Sequence, residues 1–326
     1  MRLHSYTLTA MTLAVLNAVG FAAGTAHAAA VLSADSTAAS NGTPGTTVPS
    51  TQFDYIGSRS VASGPVGEAQ GYSFARSSGA YAVSTYSAGI ADSTANAQYF
   101  YKLTNSTALA QQYTMSFHIY HGYLDTRTDS NAPSLLNAEA LNASYLARVL
   151  VDGLAVFNSQ ASITRSSSSN SWSKSGADLN AADDGADGYY SWNDAYFTLD
   201  LGTLAAGASI DVAAQVGTAT TADVGVYTYT PTGCGYGGYG GYGGYGGYGG
   251  YGGGACPPVT AFKGTARSFY GDPIDFNSSS NATGSDPITF TNEPAAVPVP
   301  EPTSLALAAL GLAAAGLSRR RRTRPA

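Results

Sequence analysis

Apolar and polar residues alternate with a period of two through the middle of this chain. Tyr99, Tyr101 and Leu103 oppose Phe100 and Lys102; Tyr113, Met115, Phe117 and Ile119 oppose Thr114, Ser116, His118 and Tyr120. Phe197, Leu199 and Leu201 oppose Thr198 and Asp200, and Ile210, Val212, Ala214 and Val216 oppose Ser209, Asp211 and Gln215. Side chains repeat every second residue on one face of a strand, so these segments predict half-buried β-strands. Leu146 to Val151 and Leu154 to Asn158 flank Asp152-Gly153, a pair suited to the two-residue type I′ hairpin turn. Val224 to Thr230 is rich in Val, Tyr and Thr. Weaker strands are expected at Phe53 to Ile56, Ala80 to Tyr86, Val259 to Phe262 and Ile288 to Thr291, and a turn or two of helix at Pro133 to Asn142. About ten short strands with polar turns predict an all-β chain with one sandwich or jelly-roll-like domain over residues 53–292.

Composition narrows the class further. Charged residues make up only 11% of the 326, against 44% hydrophobic, which excludes an ordinary cytosolic helical protein with Glu/Lys/Arg faces. Ser, Thr, Asn and Gly solubilise the chain instead. Ser-, Thr-, Gly- or Pro-rich stretches predict a flexible lead-in over residues 29–52, loops at Thr164 to Gly176 and Asn277 to Asp286, and a spacer over 293–298.

Both ends read as targeting segments. Arg2, the apolar run Leu8 to Ala23 and the small-x-small pattern Ala26-His27-Ala28 predict a signal peptide cut by signal peptidase after Ala28. At the other end, Val299-Pro300-Glu301-Pro302 precedes an apolar stretch, Leu305 to Leu317, and then Arg319, Arg320, Arg321, Arg322 and Arg324. As a helix, Ser304 to Ser318 spans about 22 Å, short of the roughly 30 Å hydrocarbon core, and the arginines would stay cytoplasmic. This three-part tail, residues 299–326, resembles the PEP-CTERM sorting signal of exopolysaccharide-producing Gram-negative bacteria. The resemblance implies an exosortase partner that cleaves at or near Pro300-Glu301-Pro302. It also implies a transient inner-membrane anchor and a body delivered to the cell surface or extracellular matrix.

Removing the ends changes the charge. Arg2 and the five tail arginines come off the 15 basic residues, leaving nine against 21 acidic ones, so the body stands near −12 rather than −6. Such a charge favours solubility and disfavours binding to anionic polymers through simple attraction, nucleic acid included, whose phosphates demand clustered Lys and Arg.

From Gly235 the chain repeats Gly-Tyr-Gly, with Tyr236, Tyr239, Tyr242, Tyr245, Tyr248 and Tyr251 spaced by three inside Cys234 and Cys256. These are the only cysteines of an exported chain, which predicts a disulfide tying off an insert at residues 233–257. Closing that ring is worth about 3 kcal/mol in the loop-entropy model. Val224 to Thr230 and Val259 to Phe262 are then free to pair as a hairpin. The Tyr-studded insert reads equally as an adhesive or sugar-stacking surface and as a tolerated repeat expansion.

Chemistry-bearing motifs are sparse. After the signal is removed, His118 and His121 are the only histidines, and on one strand they face opposite sides. They meet only if the strand stops at Tyr120 and His121 turns back. No G-x-S-x-G, P-loop or H-E-x-x-H motif is present. Asp183, Asp187, Gly188 and Asp194 follow a calcium loop in part, but Gly185 stands where a ligand is wanted and Asp194 where Glu is usual. A solvated acidic turn and a Ca²⁺ site are the two readings. Tyr189, Tyr190, Trp192 and Tyr196 adjoin it as a sugar platform or as strand and core.

The expectation is therefore a non-enzymatic exported protein, structural or adhesive at a polysaccharide-bearing surface, with no required cofactor. A carbohydrate-binding module is the alternative, and a glycan hydrolase using carboxylates between Asp183 and Asp194 is a third.

Overall fold

The computed structural model describes residues 31–52, 55–76, 81–179, 187–231, 256–271 and 288–295. They form strands and turns with no helix. In chain order the strands are β1 (Val31–Ser40), β2 (Thr43–Pro44), β3 (Thr46–Gln52), β4 (Tyr55–Ser63), β5 (Gly67–Arg76) and β6 (Tyr81–Thr104). Next come β7 (Gln111–Ile119), β8 (Gly122–Thr128), β9 (Ala140–Val151), β10 (Leu154–Ser166), β11 (Asn170–Gly176) and β12 (Tyr189–Trp192). The last are β13 (Ala195–Leu204), β14 (Ser209–Asp223), β15 (Val226–Tyr229), β16 (Val259–Phe262), β17 (Gly264–Gly271) and β18 (Thr289–Pro294).

Thirteen of these strands form one sheet, folded over at β6. The first half of β6 pairs with β5 and β17, its second half with β1 and β14. The change of partners falls at Gly89, whose φ of +70° only glycine adopts without strain. One lobe therefore runs β3-β4-β5-β6-β17-β8-β12, the other β2-β1-β6-β14-β9-β10-β11. Buried hydroxyls pin the bend: Thr220 Oγ1 lies 2.9 Å from both Ser87 Oγ and Ser93 Oγ, one on each side of Gly89.

The lobes face each other across two kinds of packing. Toward β1, β4 and β5 the contact is made of small residues: Ala38, Ala62, Ala69 and Ala91 form a cluster, and Ser36 and Ser58 join hydroxyls at 2.9 Å. Toward β8, β9 and β12 it is aromatic. Tyr145 of β9 lies 4.3 Å from Trp192 of β12 and 5.8 Å from Tyr270 of β17, centroid to centroid. A three-stranded sheet, β13-β7-β18, closes one side through Met115, Phe117, Phe197 and Phe290.

The sandwich-like all-β expectation holds, as do the alternating strands. The β9–β10 hairpin turns at Asp152 (φ 48°) and Gly153 (φ 80°), both left-handed as a type I′ turn requires. The hairpin β15–β16 joins the two sides of the Gly/Tyr insert, Tyr229 opposite Val259. Four expectations need correction. Residues 31–52 are not a flexible lead-in, since β1 pairs along ten residues of β6; small Ala and Ser side chains suit a close sheet-to-sheet approach that periodicity in large apolar residues does not reveal. Pro133 to Asn142 is no helical turn: Leu136 N–H bonds the Glu139 carboxylate in an irregular loop, and β9 starts at Ala140. Thr164 to Gly176 is the end of β10 and all of β11, an edge strand with every residue exposed. Glu293 and Pro294 belong to β18 rather than to a spacer.

Burial raises the hydroxyl pKa values of Tyr81, Tyr99, Tyr101, Tyr145 and Tyr270 above the ordinary value of about 10. Their contribution to stability is intact below pH ~10 and is lost as pH rises beyond it, because only the unfolded chain ionises there. In an alkaline titration read at 295 nm, these tyrosines are expected to ionise together with the collapse of near-ultraviolet dichroism and not before it. At the bend, a Cβ on Gly89 would lie 2.2 Å from the Val66 carbonyl oxygen. Gly89→Val is expected to cost about 3 kcal/mol or more, while Gly153→Ala, with nothing within 4 Å of its Cβ, costs about 1 kcal/mol for left-handed strain alone. Urea midpoints decide between them.

Candidate functional site: an aromatic and arginine face

Cross-strand partners share a face of a sheet. In the first lobe the register sets Arg59, Tyr72, Ser84, Phe269, Tyr123 and Ser191 in one row across six strands. Two residues along, a second row holds Val61, Gln70, Tyr86, Arg267, Asp125 and Tyr189. Their neighbours in sequence, Leu124, Tyr190, Trp192 and Tyr270, point to the core, so these rows form the outward face.

The rings on it form a continuous track. Phe269 and Tyr123 lie 5.9 Å apart and Tyr123 and Tyr189 6.1 Å, each pair near-parallel, while His121 approaches Phe269 at 6.2 Å. All are partly buried, which leaves some ring surface in contact with water. Arg267 places its guanidinium 5.3 Å from the Tyr86 ring, a cation–π contact. Beside it Asp125 is buried and accepts from Arg127 Nε at 2.9 Å. Burial raises the Asp125 pKa, opposed by the charges of Arg127, Arg267 and Arg165. The track thus begins beside His121 and ends on two exposed guanidiniums flanking a covered carboxylate.

At the His121 end, β7 stops at Ile119 and the chain turns, so the two histidines do come to one side. Asp194 Oδ1 accepts from the His121 backbone N–H at 2.6 Å and lies 3.3 Å from His121 Nδ1 and 3.9 Å from His118 Nε2. His118 is buried between Tyr120 and Tyr196, its ring stacked on Tyr196 at 4.2 Å and 5°. Tyr196 itself is 70% exposed, so a rigidly backed ring faces solvent.

The acidic cluster of the sequence is divided. Asp187 accepts from Tyr189 N–H at 3.0 Å and its carbonyl from Arg165, whereas Asp194 serves His121 beyond the other end of β12, about 10 Å of strand away. Asp183 lies outside the described residues. Among the described residues no group of three His, Cys, Asp or Glu is arranged to hold a metal. Trp192 is only 3% exposed: its indole N–H donates to the Tyr120 carbonyl at 3.0 Å and its ring lies over Gly122, where a Cβ would meet it at 2.3 Å. Trp192 and Tyr190 therefore build the core, and Tyr189 and Tyr196 are the members of that aromatic run with surface to offer.

Sequence reading missed Tyr72, Tyr86, Tyr123, Phe269, Arg127 and Arg267. The alternation Thr265, Arg267, Phe269 against Ala266, Ser268, Tyr270 was the available signal for β17, but register between strands so distant in the chain was not.

The remaining predicted sites lie outside the described residues: Ala26 and Ala28, Cys234, Pro300-Glu301-Pro302, and Arg319 to Arg322 with Arg324. For the tail, comparison with known families decides. Residues 298–322 are a PEP-CTERM protein-sorting motif. The PEP-CTERM motif takes in the Pro-Glu-Pro sequence and Arg319 to Arg322, and β18 ends four positions before it. Such a motif directs export and sorting to the cell envelope or surface through processing by an exosortase. No curated protein matches the chain.

Separating core from surface predicts two unequal variants. Trp192→Ala is expected to cost about 3 to 5 kcal/mol, and Tyr196→Ala less than about 1 kcal/mol, by urea denaturation. Equal costs would contradict the placement of Trp192 in the core.

Proposed function

We propose that this chain is a non-enzymatic surface or matrix protein of a Gram-negative bacterium, with a structural or adhesive role beside exopolysaccharide. The observation that carries this reading is the joining of the PEP-CTERM motif to a sandwich-like body whose functional groups lie on an open sheet face rather than in a cleft. Signal peptidase acts at one end and exosortase at the other, with the membrane held only between those two events. Because ten residue steps separate Pro294 from Ser304, where the apolar segment of the tail begins, β18 is tethered within at most about 36 Å of the membrane until processing.

The carbohydrate-binding reading gains a specific support of its own. Tyr, Phe and Arg side chains displayed across a flat sheet suit a polymer of sugars, whose apolar ring faces stack on aromatics while hydroxyls meet guanidinium and carboxylate groups. The support lies on the first lobe and at Tyr196, and no longer at Trp192. Of the carboxylates named for the hydrolase reading, Asp187 and Asp194 each close a separate turn, and Asp183 lies outside the described residues. For Ca²⁺, Asp194 is already committed to His121.

The Cys234–Cys256 disulfide belongs to the same proposal. Cys256 is not a free thiol, the chain has a single other cysteine, and β15–β16 brings the two sides of the insert together.

Intact mass of the exported protein, from hosts with and without the exosortase, tests the sorting reading. With the enzyme, the segment after Pro302 or close to it is expected to be missing; a mature form that retains Arg319 to Arg324 overturns processing. Non-reducing peptide maps of the same material are expected to join Cys234 to Cys256, and two alkylatable thiols overturn that pairing.

A further inference from the structure

Charge on the body is not evenly placed. Nine basic residues serve about 12 units of excess negative charge, and three of the nine, Arg59, Arg127 and Arg267, share the outward face of the first lobe. The acidic residues placed on that face by register are Asp125 and Glu68, and Asp125 is covered. The outward rows of the opposite lobe carry Asp35, Asp92 and Asp211 against Lys102 and Arg148, among Thr94, Asn96, Gln98, Gln215 and Thr221. Arg59, Arg127 and Arg267 against Asp125 and Glu68 leave this face one positive charge in excess within an otherwise acidic body, beside its aromatic rings.

We infer that this face, with Tyr86, Phe269, Tyr123 and Tyr189 as ring contacts and Arg127 and Arg267 as charge contacts, binds an acidic polysaccharide. The inference rests on the carbohydrate reading above and names its substrate class. Uronate-type sugars supply both halves of the match: an apolar pyranose face for the tyrosine and phenylalanine rings, and a carboxylate for a guanidinium. Arg267 is held by Tyr86 and Arg127 by Asp125, so both present their remaining N–H donors with little rotamer freedom left to lose. The choice of a glycan over single-stranded nucleic acid follows from charge density. A nucleic acid brings a phosphate at each nucleotide and needs a continuous basic groove, whereas here three guanidiniums stand in a body near −12. At physiological salt the Debye length is about 8 Å, so a sparse polyanion at the face senses the local arginines more than the distant acidic surface.

Affinity gel electrophoresis of the exported, processed protein tests this, with polygalacturonate, dextran or neither cast in the gel and a poly-dT oligonucleotide as a separate competitor. Expected is retardation by polygalacturonate that weakens as salt is raised, with dextran inert and poly-dT unable to compete. Arg127→Ser/Arg267→Ser is expected to weaken retardation about tenfold or more, the loss of at least one charge-assisted hydrogen bond, and Tyr123→Ala to weaken it at low and high salt alike. Near-ultraviolet dichroism confirms that each variant is folded, and Lys102→Ser, on the other lobe, should leave retardation unchanged. Retardation by polygalacturonate that survives the double arginine substitution overturns the inference, as does competition by poly-dT. Retardation by dextran alone, lost in Tyr123→Ala, overturns the acidic preference and leaves the carbohydrate reading standing. No retardation by either polymer overturns both.

Discussion

At Gly89 the strand β6 exchanges one pair of neighbours for another, and the body is organised around that exchange. A strand 24 residues long would ordinarily twist away from any single partner. Here the first half is clamped between β5 and β17 and the second between β1 and β14. Backbone groups at the bend are not left open: Ile90 N–H donates to the Val66 carbonyl at 2.9 Å, and the Gly89 carbonyl accepts from Val224 N–H at 2.9 Å. The folding-over is therefore a hydrogen-bonded corner. It sets the two lobes face to face and determines which side of β17 and β8 meets water.

The gap between the lobes dictates the unusual composition. Where the lobes converge, only Ala, Ser and Gly fit; a Cβ at Gly71 would meet the carbonyl oxygens of Thr94 and Thr37 at 2.7 and 2.8 Å. Where they diverge, large rings fill the space, and Tyr hydroxyls must find partners there. Tyr145 shares a hydrogen bond with Ser159 at 3.0 Å, Ser159 donates on to the Ala177 carbonyl at 2.9 Å, and Tyr81 reaches the His118 carbonyl at 3.3 Å. Serine and tyrosine are thus interior residues as well as surface ones, since a buried hydroxyl that is hydrogen-bonded carries little penalty. The low charged fraction is the counterpart: sheets packed through hydroxyls and rings need few ion pairs. Among the described residues, Lys263 with Glu139 is the pair in which both partners are largely covered.

How far this was legible in the chain depended on the contrast between the two faces of each strand. β7, β9, β10, β13 and β14 set large apolar residues against polar ones, and all were readable, as was the Asp152-Gly153 turn. β1, β4 and β5 bury Ala and Ser, which look the same as the Ser and Thr facing water, so β1 was mistaken for a lead-in. β12 and β17 carry aromatics on both faces, and no periodicity separates Trp192, in the core, from Tyr189, on the surface. The face itself is a product of register. Arg59, Tyr123 and Phe269 come into one row only when β4, β5, β6, β17 and β8 are aligned, and nothing local to any of them records that alignment. The sorting tail was fully legible for the opposite reason: a membrane and a processing enzyme read it as a linear segment.

That difference bears on how the body and tail can act together. The tail determines where the protein goes without reference to the fold, and the fold presents its aromatic and arginine face without reference to the tail. Processing couples them through charge. While the arginine cluster remains attached, the chain stands near −6; once it is removed the body approaches −12, and an acidic polymer is then repelled by most of the surface. Screening limits that repulsion to about a Debye length, so a face holding two fixed guanidiniums among stacked rings keeps its local sign. Under the proposed glycan binding, the body would take a preferred orientation at a polyanionic matrix, with β17 and β8 turned toward it and the Ser-, Thr- and Asn-rich rows of β6 and β14 turned away.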